Sequence, residues 1–247
     1  MDSWKYYAIT HRDHELCNPL SLARLDEMIG LLDLPPGGRV LDIASGKGEF
    51  LIRLVERYGV RGVGVDLSPF FVREARARAQ RRGRETDLEL LEMDGADYGG
   101  EAGSFDLASC LGASWTFGGY RGTLRALARF AAPGGQVLVG EPFWRREPDP
   151  AYLDWSGMRR QDFGTHWQNV EAGPAEGLAP LYALVGGEDD FDRYEALQWR
   201  AAEQYCRENP DDPDVPALRE RVERGRREYL VWGRDTLGWS LYLFRRP

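Results

Sequence analysis

Two hydrophobic periods alternate along the chain from residue 39 onward. RVLDIA (39–44) is an apolar run of strand length, and EFLIRLVERYG (49–59) repeats apolar residues at helical spacing through Phe50, Leu51, Leu54 and Val55. Val60 to Leu67 predicts a second strand, interrupted by Arg61. Ser68 and Pro69 then read as the N-cap and first residue of a helix in SPFFVREARARAQRRG. DLELLEMD (87–94), FDLASCL (105–111) and GQVLVGEPFW (135–144) predict three more strands, with a helix over Tyr120–Phe130 stopped by Pro133, Gly134 and Gly135. Repeated strand, helix, strand units imply a parallel sheet with right-handed crossovers and helices on both faces. Ligands of such sheets bind beyond the carboxyl ends of the strands.

After residue 144 the rhythm breaks. Residues 145–178 are irregular and rich in charge, Gly and Pro, while PLYALVG (180–186) predicts a sixth strand. FDRYEALQWRAAEQYCREN and ALRERVERGRREYLVW predict helices on either side of a PDDPDVP turn, and GWSLYLFRR a last strand antiparallel to the sixth. The expected fold is α/β: a doubly wound, mostly parallel seven-stranded sheet with an antiparallel last strand. Residues 1–38, with helix-like SLARLDEMIGLL, are expected as an N-terminal lid and 39–144 as the ligand-binding core. Residues 145–247 would supply cap insertions and the final strands of the same domain.

Composition narrows the function classes. With 247 residues, 43% of them hydrophobic, the chain has ample material for a full core. Its 40 acidic and 32 basic residues give a net charge of -8, which opposes binding to phosphate backbones, so no nucleic-acid partner is expected. The arginines at 73, 76, 78, 81, 82 and 84 are interleaved with Glu74 and Glu85 and read as a solvated helix face. Cys17, Cys110 and Cys206 are widely spaced and suit a reducing compartment, and no metal site is expected from them or from the three histidines. No apolar run reaches the roughly 18 residues of a membrane span, and MDSWKYYAITHRDHE lacks a secretory pattern, so a cytoplasmic location is expected.

The turn in VLDIASGKGEF (40–50) carries the candidate chemistry. It does not match a phosphate cradle: the dinucleotide pattern would need a glycine at Leu51, and the triphosphate loop needs Ser or Thr where Gly48 follows Lys47. Asp42, at the mouth of the turn, would repel a pyrophosphate but attract an ammonium group. Asp66 ends the second strand, where a carboxylate can accept from ribose hydroxyls, and Asp94 ends the third, where it can accept from an exocyclic amine. Ammonium, ribose and adenine amine together describe S-adenosylmethionine.

VLDIASGKGEF resembles motif I of the class I S-adenosylmethionine-dependent methyltransferases; GVGVDLSPFFV resembles motif II and LEMDGADY motif III. FDLASCLGASWTF and LARFAAPGGQVLVGEPFW extend the similarity to residue 144. CLGASW, GEPFW and GWSLYLF are similar to a bacterial subgroup acting on small molecules. The resemblance implies a Rossmann-like core with S-adenosylmethionine as methyl donor and S-adenosylhomocysteine as product. It further implies that Asp42, Ala44, Gly46 and Gly48 shape the loop at the amino-acid end, that Asp66 and Leu67 meet the ribose and adenine, and that Asp94 and Gly95 meet the adenine edge. Cys110 and Leu111 would lie near the sulfonium. Ala44 stands where the family most often has glycine.

Methyl transfer from a sulfonium requires positioning and exclusion of water rather than a metal or a nucleophilic side chain. Glu141, at the end of the fifth strand and the first choice for substrate contact, and His11, on the expected lid and well placed as a base, are the catalytic candidates. Trp115, Phe117 and Tyr120, after the fourth strand, are candidates for an aromatic wall, and Trp115, Tyr120 and Trp144 for contact with a small-molecule acceptor. Two alternatives are an RNA or protein methyltransferase, and a binding protein that holds S-adenosylmethionine without transferring its methyl.

Overall fold

Consecutive residues of the first strand, β1 (Arg39–Ile43), are buried on opposite faces of a sheet. Val40 packs with Leu54, Leu107 and Leu138 in one cluster, and Leu41 with Phe105, Ala108 and Val137 in the other. A sheet apolar on both sides must be covered on both sides, which is the physical origin of the layered architecture.

The computed structural model describes residues 1–247. α1 (Ser3–Thr10) and α2 (Leu22–Gly30) precede β1, which leads to α3 (Glu49–Tyr58), β2 (Arg61–Asp66), α4 (Pro69–Arg81), β3 (Leu88–Glu92), β4 (Phe105–Leu111), α5 (Tyr120–Phe130) and β5 (Ala131–Trp144). There follow α6 (Pro150–Ser156), α7 (His166–Ala175), β6 (Ala179–Val185), α8 (Glu188–Glu208), α9 (Val215–Glu228) and β7 (Leu237–Arg245). The sheet has seven strands in the order β3-β2-β1-β4-β5-β7-β6. All neighbours are parallel except β7, which is antiparallel to both β5 and β6. The expected fold is therefore the observed one.

Local signals account for most boundaries. Ser68 caps α4 by accepting from the Phe71 amide, with Pro69 in the first turn. Pro133, Gly134 and Gly135 do not lie in a turn between helix and strand, as the sequence suggested. Phe105 pairs with Ala131 and Leu107 with Gln136, so the three residues are an irregularity carried within β5. An irregular stretch is where a sheet tolerates a proline without an N–H. The segment expected to be irregular contains α6 and α7. Asp149 and Pro150 open the first; a reciprocal Thr165–Gln168 capping box opens the second.

The amino-terminal segment divides in two. Leu25, Met28 and Ile29 of α2 are buried in the main cluster, so this helix covers the sheet and is no lid. α1 instead packs on α8 and α9 through Tyr6, Ile9, Ala202, Cys206 and Leu218.

Candidate active site

The strand order reverses between β1 and β4, and beyond that point lies a cavity of about 740 Å³. Its position follows the rule for open α/β sheets, and its size is that of a small-molecule site. One wall is formed by the carboxyl ends of β1 to β4. The other comes from α1, the loop to Pro19, α8 and Trp239 of β7.

The turn after β1 supplies the floor. Ala44, Gly46 and Gly48 all have positive φ, at 57°, 54° and 74°. Glycine adopts this conformation freely, whereas Ala44 holds it against a cost of about 1–2 kcal/mol. Ala44 and Gly46 line the cavity. Gly48 does not: a Cβ there would lie 3.1 Å from Ala75 Cβ, so this glycine lets α3 and α4 approach. Asp66 braces the turn from β2, its Oδ2 accepting from the Gly46 amide at 2.8 Å and its Oδ1 from the Ser68 amide at 2.8 Å. Asp42, beside it, accepts from Ser109 Oγ at 2.7 Å, and burial pushes its carboxyl up to about 7. Asp94 lies on the rim, where its Oδ1 accepts from the Ala96 amide; Gly95, Leu67 and Leu111 also line the cavity.

Lys47 was not singled out by the sequence except to reject a phosphate loop. Its buried ammonium donates to the carbonyls of His11 (2.6 Å) and His14 (3.1 Å), with Arg12 O at 3.3 Å and Glu74 Oε2 at 3.1 Å. It therefore ties the loop after α1 to the turn after β1 and to α4. A lysine in a turn that matches no phosphate-binding pattern was the available clue. The basic run is committed to the same assembly: Arg78 and Arg82 converge on buried Glu49, and Arg78 also reaches the carbonyls of His14 and Glu15.

The catalytic candidates sit differently from expectation. Adjacent strand residues point to opposite faces, so Pro142 reaches the cavity and Glu141 does not. Glu141 is buried, with Oε1 accepting from Ser114 Oγ at 3.0 Å and Oε2 unpartnered. Cys110 is likewise excluded, fully buried on the face opposite Leu111. Tyr120 packs edge-on against Tyr242, and Trp144 donates to Arg160 O while packing on Tyr152 and Phe163; neither lines the cavity. Trp115, by contrast, is 76% exposed at the cavity rim. His11 does line the cavity, with Nε2 2.9 Å from the Tyr194 hydroxyl and Nδ1 3.2 Å from Tyr7 O. That pairing makes Nδ1 the donor and Nε2 the acceptor. Burial, together with His14, depresses His11 to about 3, too low for an efficient base near neutrality.

Burial likewise pushes the Glu141 carboxyl up to about 8. The folded chain then keeps this proton to higher pH than the unfolded chain, so stability is full below the ordinary carboxylate range and falls as pH rises to about 8. His11 acts oppositely, costing stability as pH falls below its ordinary 6.5. Glu141→Gln should therefore remove a pH-dependent loss on the order of 3 kcal/mol between about pH 5 and 8, measured by urea unfolding. Parallel wild-type and mutant profiles would contradict the buried, protonated state.

The donors suit S-adenosylmethionine. Asp66 has lone pairs beyond its two amide bonds, Gly46 presents bare backbone, and Leu67 offers a half-exposed apolar face. The chain belongs to the S-adenosylmethionine-dependent methyltransferases, and the family model described as a methyltransferase domain matches residues 40–135. Among solved structures it is similar to a SAM-dependent methyltransferase from Geobacter sulfurreducens in complex with S-adenosylhomocysteine, with 30% identity, 98% of each chain covered and a TM-score of 0.92. Among curated relatives, the uncharacterized protein YjhP of Escherichia coli (strain K12) is 30% identical over 98% of both chains. The demethylmenaquinone methyltransferase of Thermus thermophilus is 36% identical over 70% of this chain and 83% of its own.

Proposed function

We propose that the chain transfers the methyl group of S-adenosylmethionine to a small molecule held in the aromatic half of the same cavity, against α1, α8 and β7. The observation that carries this reading is the continuity of the cavity. The strand ends that suit the cofactor and the wall formed by Tyr7, Phe191, Tyr194 and Trp239 enclose one space. The demethylmenaquinone relative supports a small organic acceptor.

Bound S-adenosylmethionine supplies an electrophilic methyl on its sulfonium. Asp66 would hold the ribose hydroxyls, Gly46 the amino-acid end, and Leu67, Asp94 and Gly95 the adenine. The N-terminal segment excludes water over the reacting groups, which raises the worth of every electrostatic contact inside. His11, neutral and hydrogen-bonded, orients the Tyr194 hydroxyl on the acceptor side.

Calorimetric titration with S-adenosylmethionine, S-adenosylhomocysteine and NAD, followed by transfer of labelled methyl to fractionated small molecules, RNA and protein, tests the reading. Heat from the two sulfur ligands and none from NAD, with label only in the small-molecule fraction, is the expected result. Label in RNA or protein, or in no fraction, would overturn the acceptor class.

A further inference from the structure

Glu195, on the inward side of α8, borders two cavities. Together with Phe191 it lines both the cofactor cavity and a second space of about 210 Å³ between α8, α9 and the residues that follow. No hydrogen bond or ion pair acts on its carboxylate, and the charge that does act on it, Glu228, is also acidic and lines the second space. Around them stand Tyr152, Trp199 and Tyr229, with Tyr6, whose ring already carries the Arg221 guanidinium 3.7 Å from its centroid. Arg226, also on this wall, pairs with Glu223, and Lys47 across the first cavity is spent on carbonyls and Glu74. A partly buried carboxylate with no cation beside it, facing aromatic rings, is the arrangement that a ligand cation completes.

We propose that Glu195 anchors a cationic group of the methyl acceptor, which makes the substrate class an amine-bearing small molecule with apolar parts. This rests on the reading of the cavity as a small-molecule methyltransferase site. Phe191 and Glu195 then act as the partition between the two spaces, with the ammonium held at the partition and the acceptor atom toward the cofactor. Burial and Glu228 hold the Glu195 carboxyl up to about 7, and a cation at this point favours its ionised form.

The test uses the full chain saturated with S-adenosylhomocysteine and three matched probes: phenethylamine, phenethyl alcohol and phenylacetate. Binding is followed by tryptophan fluorescence, since Trp4, Trp115, Trp199 and Trp239 line the two spaces. Phenethylamine should bind at least about tenfold more tightly than the alcohol, and phenylacetate more weakly than either. Glu195→Gln should erase the preference for amine over alcohol while leaving S-adenosylhomocysteine affinity within about twofold, which also reports that the variant is folded. Equal binding of amine and alcohol, tighter binding of phenylacetate, no binding of the amine, or a preference that survives Glu195→Gln would overturn the proposal. S-adenosylhomocysteine binding is read in the same samples. A chain that binds it without favouring the amine loses the charge assignment alone, and a chain that does not bind it loses the methyltransferase reading as well.

Discussion

Asp66→Ala should weaken S-adenosylmethionine binding by about 1.5–3 kcal/mol, roughly tenfold or more in Kd, the scale of hydrogen bonds to a charged acceptor. The expectation follows from the position of the carboxylate, at the end of β2 and lining the cavity. Its amide bonds to Gly46 and Ser68 give the substitution a second effect, because the turn after β1 loses its brace. Asp66→Asn separates the two. One side-chain oxygen remains as an acceptor, while the amide nitrogen can no longer accept from a ribose hydroxyl or a backbone amide. Calorimetry on both variants measures the difference. Unchanged affinity in folded Asp66→Ala protein would remove Asp66 from the cofactor site.

The second large effect belongs to Lys47. Lys47→Met retains the apolar stem and deletes the ammonium that holds three backbone carbonyls and Glu74. Glu74 reaches solvent, but the His11 and His14 carbonyls face Lys47 in buried surroundings, so the loss should be about 2–3 kcal/mol in urea unfolding. The damage should be local as well as global. Amide hydrogen exchange should quicken over His11–Glu15, and protease should reach the first segment sooner. S-adenosylmethionine should dissociate faster if it occupies the proposed site, since this segment forms one wall of that cavity. Wild-type exchange rates over His11–Glu15 would show that the lysine does not fasten the segment.

The sheet was legible because its signals are local. Val40 and Leu41 need partners on two faces, Phe50 to Val55 repeat at helical spacing, and Ser68–Pro69 match the favoured cap and first residue of a helix. The strand-end side of the cavity was legible for a related reason. The carboxyl ends of neighbouring strands meet in space, so Asp42, Asp66 and Asp94 come together once the strand order is inferred.

The acceptor half was not, because segments far apart in the chain build it. Nothing near Tyr194 or Glu195 in sequence marks them as neighbours of His11 or Trp239. Only the packing of α1 on α8 and of β7 beside β5 makes them so. The misplacement of Glu141 and Cys110 is different, since strand alternation could have assigned them to the face away from the cavity once Leu111 and Pro142 were placed on it. Tyr120 and Trp144 were read as cavity residues because a buried aromatic and a ligand-facing one have the same local pattern.

The position of β7 has a consequence for the growing chain. β5 and β6 leave the ribosome before the strand that must lie between them, so the nascent sheet carries a bare hydrogen-bonding edge along Gln136–Trp144. β6 has no neighbour to join until Leu237–Arg245 has been made. Closure of the sheet is thus a late, long-range event, the slow kind in folding kinetics, and the interval before it is when the chain is most exposed to sticking to its own copies.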